Sequence, residues 1–215
     1  MSLLEIKNIS KAYDSKVVLD KINLKIPSGK IIGLLGKNGA GKTTLIKLIN
    51  DLLTPTSGEI LVNGNKIGVE SKKVIAFLPE RTYLNKQMRV SEVISYFKDF
   101  YDNFDEKKAI KLLADLDLDI NQRLSKMSKG MQEKVQLVLV MSREADLYIL
   151  DTILSNFSEN ASVIISTHLI SDIEKILDEV IFIDKGKIIL QSDADKLRKK
   201  EKSSIDEIFR RMFKC

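Results

Sequence analysis

"IIGLLGKNGAGKTTLIKLIND", residues 31–51, passes from an apolar run through a glycine-rich turn into a stretch whose apolar residues recur at helical spacing. The run "IIGLL" (31–35) predicts a buried strand and "KTTLIKLIND" (42–51) predicts a helix. Between them "GKNGAGKT", residues 36–43, fits the pattern G-x-x-x-x-G-K-[ST]. Strand, loop and helix in this order form the arrangement that holds a polyphosphate. Gly36, Gly39 and Gly41 let the backbone of the loop, with Lys37, Asn38 and Ala40, wrap closely around phosphate oxygens. The helix that begins with Lys42, Thr43 and Thr44 adds a favourable dipole. Lys42 is expected to bridge the β- and γ-phosphates, and Thr43 to offer its hydroxyl to Mg²⁺. A nucleoside triphosphate is the ligand these residues predict.

Further apolar runs, "VIAFL" (74–78), "LYIL" (147–150), "SVIIS" (162–166) and "VIFI" (180–183), suit strands buried on both faces of a parallel sheet. The first sixty-odd residues differ. There "LLEIKNIS", "VVLDKINLKI" and "GEILVNGNKI" alternate polar with apolar between turn signals, which predicts an antiparallel sheet. From 88 to 143 the pattern turns helical, in "SEVISYFKDFYDNF", "DEKKAIKLLADLDL" and "KGMQEKVQLVLVMSRE". The fold class expected is α/β: a P-loop core with a mainly parallel sheet, an N-terminal antiparallel β subdomain and an inserted helical subdomain. Its divisions are 1–80 for the β subdomain with the P-loop part of the core, 81–143 for the helical subdomain, 144–190 for the remaining core, and 191–215 for a helical tail. In that tail "SSIDEIFRRMFKC" reads as an amphipathic helix, with Ile205, Ile208, Phe209 and Met212 on the face toward the core.

The chain has 215 residues, 44% of them hydrophobic, enough for a sizeable core. It carries 35 basic and 30 acidic residues for a net charge of +5, interspersed except for "KLRKKEK" (196–202). Interspersed charge reads as a solvated surface, so no nucleic-acid partner is expected. No run approaches the length of a membrane span, and "MSLLEIKNIS" is too polar for a signal peptide. The expected protein is soluble and intracellular. Its one cysteine, Cys215, cannot form an internal disulfide and receives no role.

Two more stretches complete a constellation. "LYILD" (147–151) is an apolar strand that delivers Asp151, as the Mg²⁺-holding strand of a P-loop ATPase does. "KMSKGMQEK" (126–134) places Ser128 and Gly130 at the start of a predicted helix. In this order along the chain, the motifs resemble those of the ATP-binding cassette (ABC) ATPases of membrane transporters. The form Ser128-Lys129-Gly130-Met131 resembles an exporter-type bacterial branch. The resemblance implies a core of RecA-like type and ATP with Mg²⁺ as ligands. It implies that the 128–131 turn touches ATP held by a partner subunit, and that Tyr13, with Val18, contacts adenine. It implies a metal and water contact at Glu80, where the family usually has glutamine, and a γ-phosphate contact at His168. The implied partners are membrane-spanning subunits on separate chains and a second cassette, in a homo- or heterodimer at the cytoplasmic face of the membrane. Tandem cassettes or a long coiled coil, features of nucleic-acid-associated relatives, are not seen.

One junction departs from the family. After Asp151 the family has a catalytic glutamate, whereas here Thr152 follows. Eleven residues, Thr152 to Ser162, lead to Val163, and a parallel crossover with its helix needs at least about 10–12. Either a segment is absent from this sequence, or the chain has lost its carboxylate and is a weakly or non-hydrolytic regulatory subunit. The first is preferred, because the flanking pieces each fit the family while their junction does not. Mass spectrometry of the intact natural protein is expected to give more than 24.3 kDa; that mass itself would exclude the missing segment.

Overall fold

The computed structural model describes residues 2–79, 82–151, 162–166 and 170–214. Glu80, His168, Cys215 and the segment that begins with Thr152 lie outside the described residues. The chain divides into one unit of residues 1–75 with 146–215 and another of residues 76–145.

The first unit begins with a long hairpin, β1 (Ser2–Tyr13) and β2 (Lys16–Pro27). Tyr13 faces Lys16 across a two-residue turn in which Asp14 takes a left-handed φ of 50°. Along β2, Ile22, Leu24 and Ile26 are buried and the residues between them exposed, the period-two pattern of a sheet with one covered face. β4 (Ser57–Val62) pairs antiparallel with β1, and the short β5 (Asn65–Lys66) completes the sheet order β2-β1-β4-β5.

A second sheet carries the continuous apolar runs. Its order is β10-β9-β3-β8-β7-β6, from β3 (Ile31–Leu35), β6 (Ile75–Leu78), β7 (Leu147–Leu150), β8 (Ser162–Ser166), β9 (Glu179–Asp184) and β10 (Lys187–Asp193). β3 pairs in parallel with both β8 and β9, and β7 with β8. Every residue of β7 and β8 is buried, as expected of strands covered on both faces. The antiparallel β9–β10 hairpin closes one edge. Helix α1 (Lys42–Ile49) follows β3 and buries Leu45, Ile46, Leu48 and Ile49. The run "VIAFL" starts one residue later than its apolar pattern suggests: Val74 ends a short helix, α2 (Val69–Val74), whose N-terminus Ser71 secures by bonding the Gly68 N–H at 2.9 Å.

In the second unit α3 (Val90–Phe100), α4 (Glu106–Asp115) and α5 (Lys129–Met141) enclose a core that includes Val93, Phe97, Leu113, Val135 and Leu139. α4 is started by Asp105, whose carboxylate accepts the Lys108 N–H at 2.9 Å.

The C-terminal helices belong to the first unit. After the short α6 (Ile170–Ile173), α7 (Ala194–Glu201) carries the basic cluster and turns Ala194 and Leu197 inward. α8 (Ile205–Phe213) opens with a reciprocal cap: Ser204 Oγ accepts the Glu207 N–H at 3.1 Å and the Glu207 carboxylate accepts the Ser204 N–H at 3.1 Å. Its buried face corrects the expectation for Met212. That side chain is 43% exposed, and Phe213 takes the inner position. The reason is aromatic packing, because the Phe213 ring lies 4.4 Å from Phe209 and both rings meet Phe182, which is fully buried. Phe213→Ala is therefore expected to cost about 3–5 kcal/mol in chemical denaturation, while Met212→Ala should stay within about 0.5 kcal/mol of wild type.

Candidate nucleotide-binding site

Parallel pairing puts the ends of three strands on one edge of the second sheet. Leu34 lies opposite Ser166, Leu35 opposite Phe182, and Leu150 opposite Ile165. The loop after β3, the end of β8 and Asp151 after β7 therefore emerge together, at the edge where open α/β sheets hold their ligands.

Of the loop, Gly36, Ala40 and Gly41 are buried while Lys37, Asn38 and Gly39 form an exposed tip. The Ala40 N–H donates to the Lys37 carbonyl at 3.1 Å, and the Leu45 N–H to the Gly41 carbonyl at 2.9 Å, the first bond of α1. Gly41 caps that helix with φ 110°. A Cβ there would lie 2.7 Å from Leu19 Cδ2 and 3.2 Å from the Val18 carbonyl oxygen, so strand β2 leaves room only for glycine.

Lys42 folds back into the loop that it follows. Its ammonium donates to the Gly36 carbonyl at 2.6 Å and the Lys37 carbonyl at 3.1 Å. Burial lowers the Lys42 pKa from the ordinary lysine value, and the Asp151 carboxylate opposes that shift. The structure thus brings Lys42 and Asp151 within electrostatic reach of each other. Thr43 is exposed and Thr44 half-buried on the first turn of α1.

Tyr13 ends β1 with its ring 45% exposed and the Lys11 ammonium 5.0 Å from the ring centre. Val18 is half-buried on β2, and its carbonyl faces Gly41. In the helical unit, Ser128 caps α5, its Oγ accepting the Met131 N–H at 3.2 Å. Ser128, Lys129 and Gly130 are exposed, while Met127 is buried and Met131 packs beside it against the same core. Two predicted residues, Glu80 and His168, lie outside the described residues.

Sequence reasoning passed over Gly186. This residue of the β9–β10 turn donates its N–H to the Ala40 carbonyl at 3.0 Å. "DKGK" announces only a turn, and no local pattern signals a bond to a residue so distant in sequence.

A parallel sheet that ends in this loop, with an antiparallel β layer and an inserted helical segment, defines a P-loop nucleoside triphosphatase. The ABC transporter family model matches residues 19–155. The chain is 29% identical over 211 residues to the lantibiotic transport ATP-binding protein SrtF of Streptococcus pyogenes, an alignment spanning 90% of this chain and 92% of that protein. It is 31% identical over 213 residues to the SkfA peptide export ATP-binding protein SkfE of Bacillus subtilis, spanning 88% of each. A solved ATP-binding subunit of an ABC transporter superposes with a TM-score of 0.87 at 26% identity, covering 97% of this chain and 98% of that one. A dimeric ATP-binding cassette holding ADP and Pi shares the fold, with a TM-score of 0.76 at 19% identity, covering 89% and 98%. This chain belongs to the ABC transporter family. It is an ATP-binding, ATP-hydrolysing transporter subunit, and the non-hydrolytic alternative is not favoured. Among the described residues, no helix is long and apolar enough to cross a membrane.

The cap itself yields a measurable expectation. Ser128→Ala should destabilise the chain by about 1 kcal/mol, and Ser128→Asp, also a good cap, should restore most of that in thermal or urea unfolding.

Proposed function

We propose that this chain is the ATPase subunit of a peptide exporter of the Ser-Lys-Gly-Met branch, working at the cytoplasmic face of a membrane as one of two paired cassettes. The observation that carries the proposal is the exposed turn 128–130, held by buried Met127, in a chain whose relatives are named for lantibiotic transport and peptide export. In this proposal the phosphate loop of one cassette and the 128–131 turn of the other enclose each ATP. The exposed N-terminus of α5 suits a γ-phosphate because its dipole favours negative charge there.

Lys42 exchanges its two backbone carbonyls for β- and γ-phosphate oxygens, which form stronger, charge-assisted bonds. Tyr13 stacks on adenine, with Val18 beside it, while Lys37, Asn38, Ala40 and Thr44 line the phosphates. Thr43 and Asp151 fit Mg²⁺, since both offer hard oxygen donors on elements that meet at one sheet edge. Mg²⁺ usually takes one or two carboxylates plus phosphate oxygens, so no group of three acidic, histidine or cysteine ligands is needed, and none occurs among the described residues. When bound, the metal neutralises charge on the β- and γ-oxygens. Glu80 and His168 are assigned to the water and γ-phosphate on their sequence positions alone.

Two variants test the proposal. Lys42→Ala is expected to lower steady-state ATP turnover by about 100-fold or more. In the His168→Ala background, Mg·ATP should drive the chain to a dimer in size-exclusion chromatography with light scattering. Adding Ser128→Asp should keep the folded monomer and abolish that dimer, because its carboxylate would face phosphate. A monomer at saturating Mg·ATP in His168→Ala would count heavily against paired cassettes.

A further inference from the structure

The β9–β10 turn, Lys185 and Gly186, emerges at the same sheet edge as the phosphate loop, because β9 runs parallel to β3 with Phe182 opposite Leu35. Gly186 bonds in two directions there. Its N–H donates to the Ala40 carbonyl of the loop at 3.0 Å, and its carbonyl accepts the Asp20 N–H of β2 at 2.9 Å. The neighbouring Lys187 forms an ion pair with Asp20 at 3.1 Å, but both groups are exposed and such a pair adds little. The backbone bonds carry the link.

Packing at this junction admits no side chain at position 186. Gly186 has φ 77°, and a Cβ built on it would press into the Val18 carbonyl, 2.9 Å from its carbon and 3.1 Å from Leu19 Cα. The oxygen of the same carbonyl lies 3.2 Å from the Cβ position of Gly41. Val18 is thus flanked by two glycines, one in the phosphate loop and one in the hairpin turn. A glycine-rich loop left untied would lose backbone entropy whenever it closed on a ligand; a loop fixed in place beforehand does not.

We propose that Gly186 is a positioning residue for nucleotide: it fastens the phosphate loop to β2 and holds the loop in its binding conformation. This inference rests on residues 36–44 being the nucleotide loop. Because β2 carries Val18 and follows Tyr13, Gly186 joins the phosphate-binding part of the site to the part assigned to the base.

The test uses the full chain, Gly186→Ala and a matched control, Gly64→Ala. Gly64 sits in the β4–β5 turn with φ 76° and nothing within 4 Å of its Cβ position. It carries the same left-handed cost, with no clash and no bond to the phosphate loop. Affinity for ADP is measured by isothermal titration calorimetry at a temperature where thermal unfolding shows all three proteins folded. Gly64→Ala should keep the wild-type Kd, whereas Gly186→Ala should raise it about 10-fold or more. Equal affinities in the two variants overturn the inference. A wild-type chain that binds neither ADP nor ATP sinks the loop assignment, and the inference with it. If Gly186→Ala does not fold, amide hydrogen exchange of the wild type decides. Saturating ADP should slow the Gly186 and Asp20 amides about 10-fold, and unchanged exchange at both, with ADP bound, overturns the proposal.

Discussion

β3 is hydrogen-bonded in parallel to β8 on one side and to β9 on the other, and this double pairing decides where the groups of the site stand. Parallel neighbours end at the same edge, so segments far apart in sequence are delivered together: the loop at 36–43, Asp151 by way of β7, and the turn at 185–186. An antiparallel neighbour in place of β8 or β9 would send that segment to the opposite edge. The pairing is sustained by side chains that have no polar alternative. Ile32 and Leu34 of β3, Val163 and Ile165 of β8, and Val180 and Phe182 of β9 are all buried, and the run of apolar residues in each strand satisfies both faces of the sheet at once.

On that frame the site's charge is arranged around Lys42. Its ammonium is partly desolvated, which disfavours the charged form, yet two loop carbonyls and the field of Asp151 support it. A cation held by neutral carbonyls has weaker partners than it would have in phosphate, and exchange for phosphate oxygens strengthens each bond. The loop is therefore closed around its own lysine in a way that favours polyanions over neutral ligands. The Asp151 carboxylate favours the charged form of the lysine, and as a hard oxygen donor it also suits its other proposed task of holding a metal.

Much of this was legible in the sequence. The apolar runs at 31–35, 147–150 and 162–166 coincide with β3, β7 and β8, because continuous apolar runs beside glycine-rich turns leave few alternatives, and the helix expected over "KTTLIKLIND" (42–51) forms as α1 but ends two residues sooner, at Ile49. Ser128 could be read as the start of α5 from local chemistry alone. Less legible were features set by tertiary packing. Met212 and Phe213 are both three or four residues beyond Phe209, so helical spacing cannot choose between them; the Phe182 ring does. Gly186 reads as an ordinary hairpin glycine until β9 is placed beside β3. The α2 helix has too little apolar periodicity in "VESKKV" to announce itself.

The 128–131 turn shows how packing and function divide the positions of one motif. Met127 and Met131 pack on the helical core. Lys129 is exposed and lies 3.6 Å from Glu133 one turn on. Ser128 has a local reason for its identity, since it caps α5. Gly130 has none: its φ is not left-handed, and a Cβ there would meet nothing within 4 Å. Glycine within a helix costs up to about 1 kcal/mol relative to alanine, so the chain carries that cost without a steric need of its own. The proposed pairing of two cassettes would supply a need from outside the chain. Close approach of a phosphate to bare backbone is the contact that a Cβ would obstruct, and the proposed sandwich of two cassettes around ATP requires that approach at this turn.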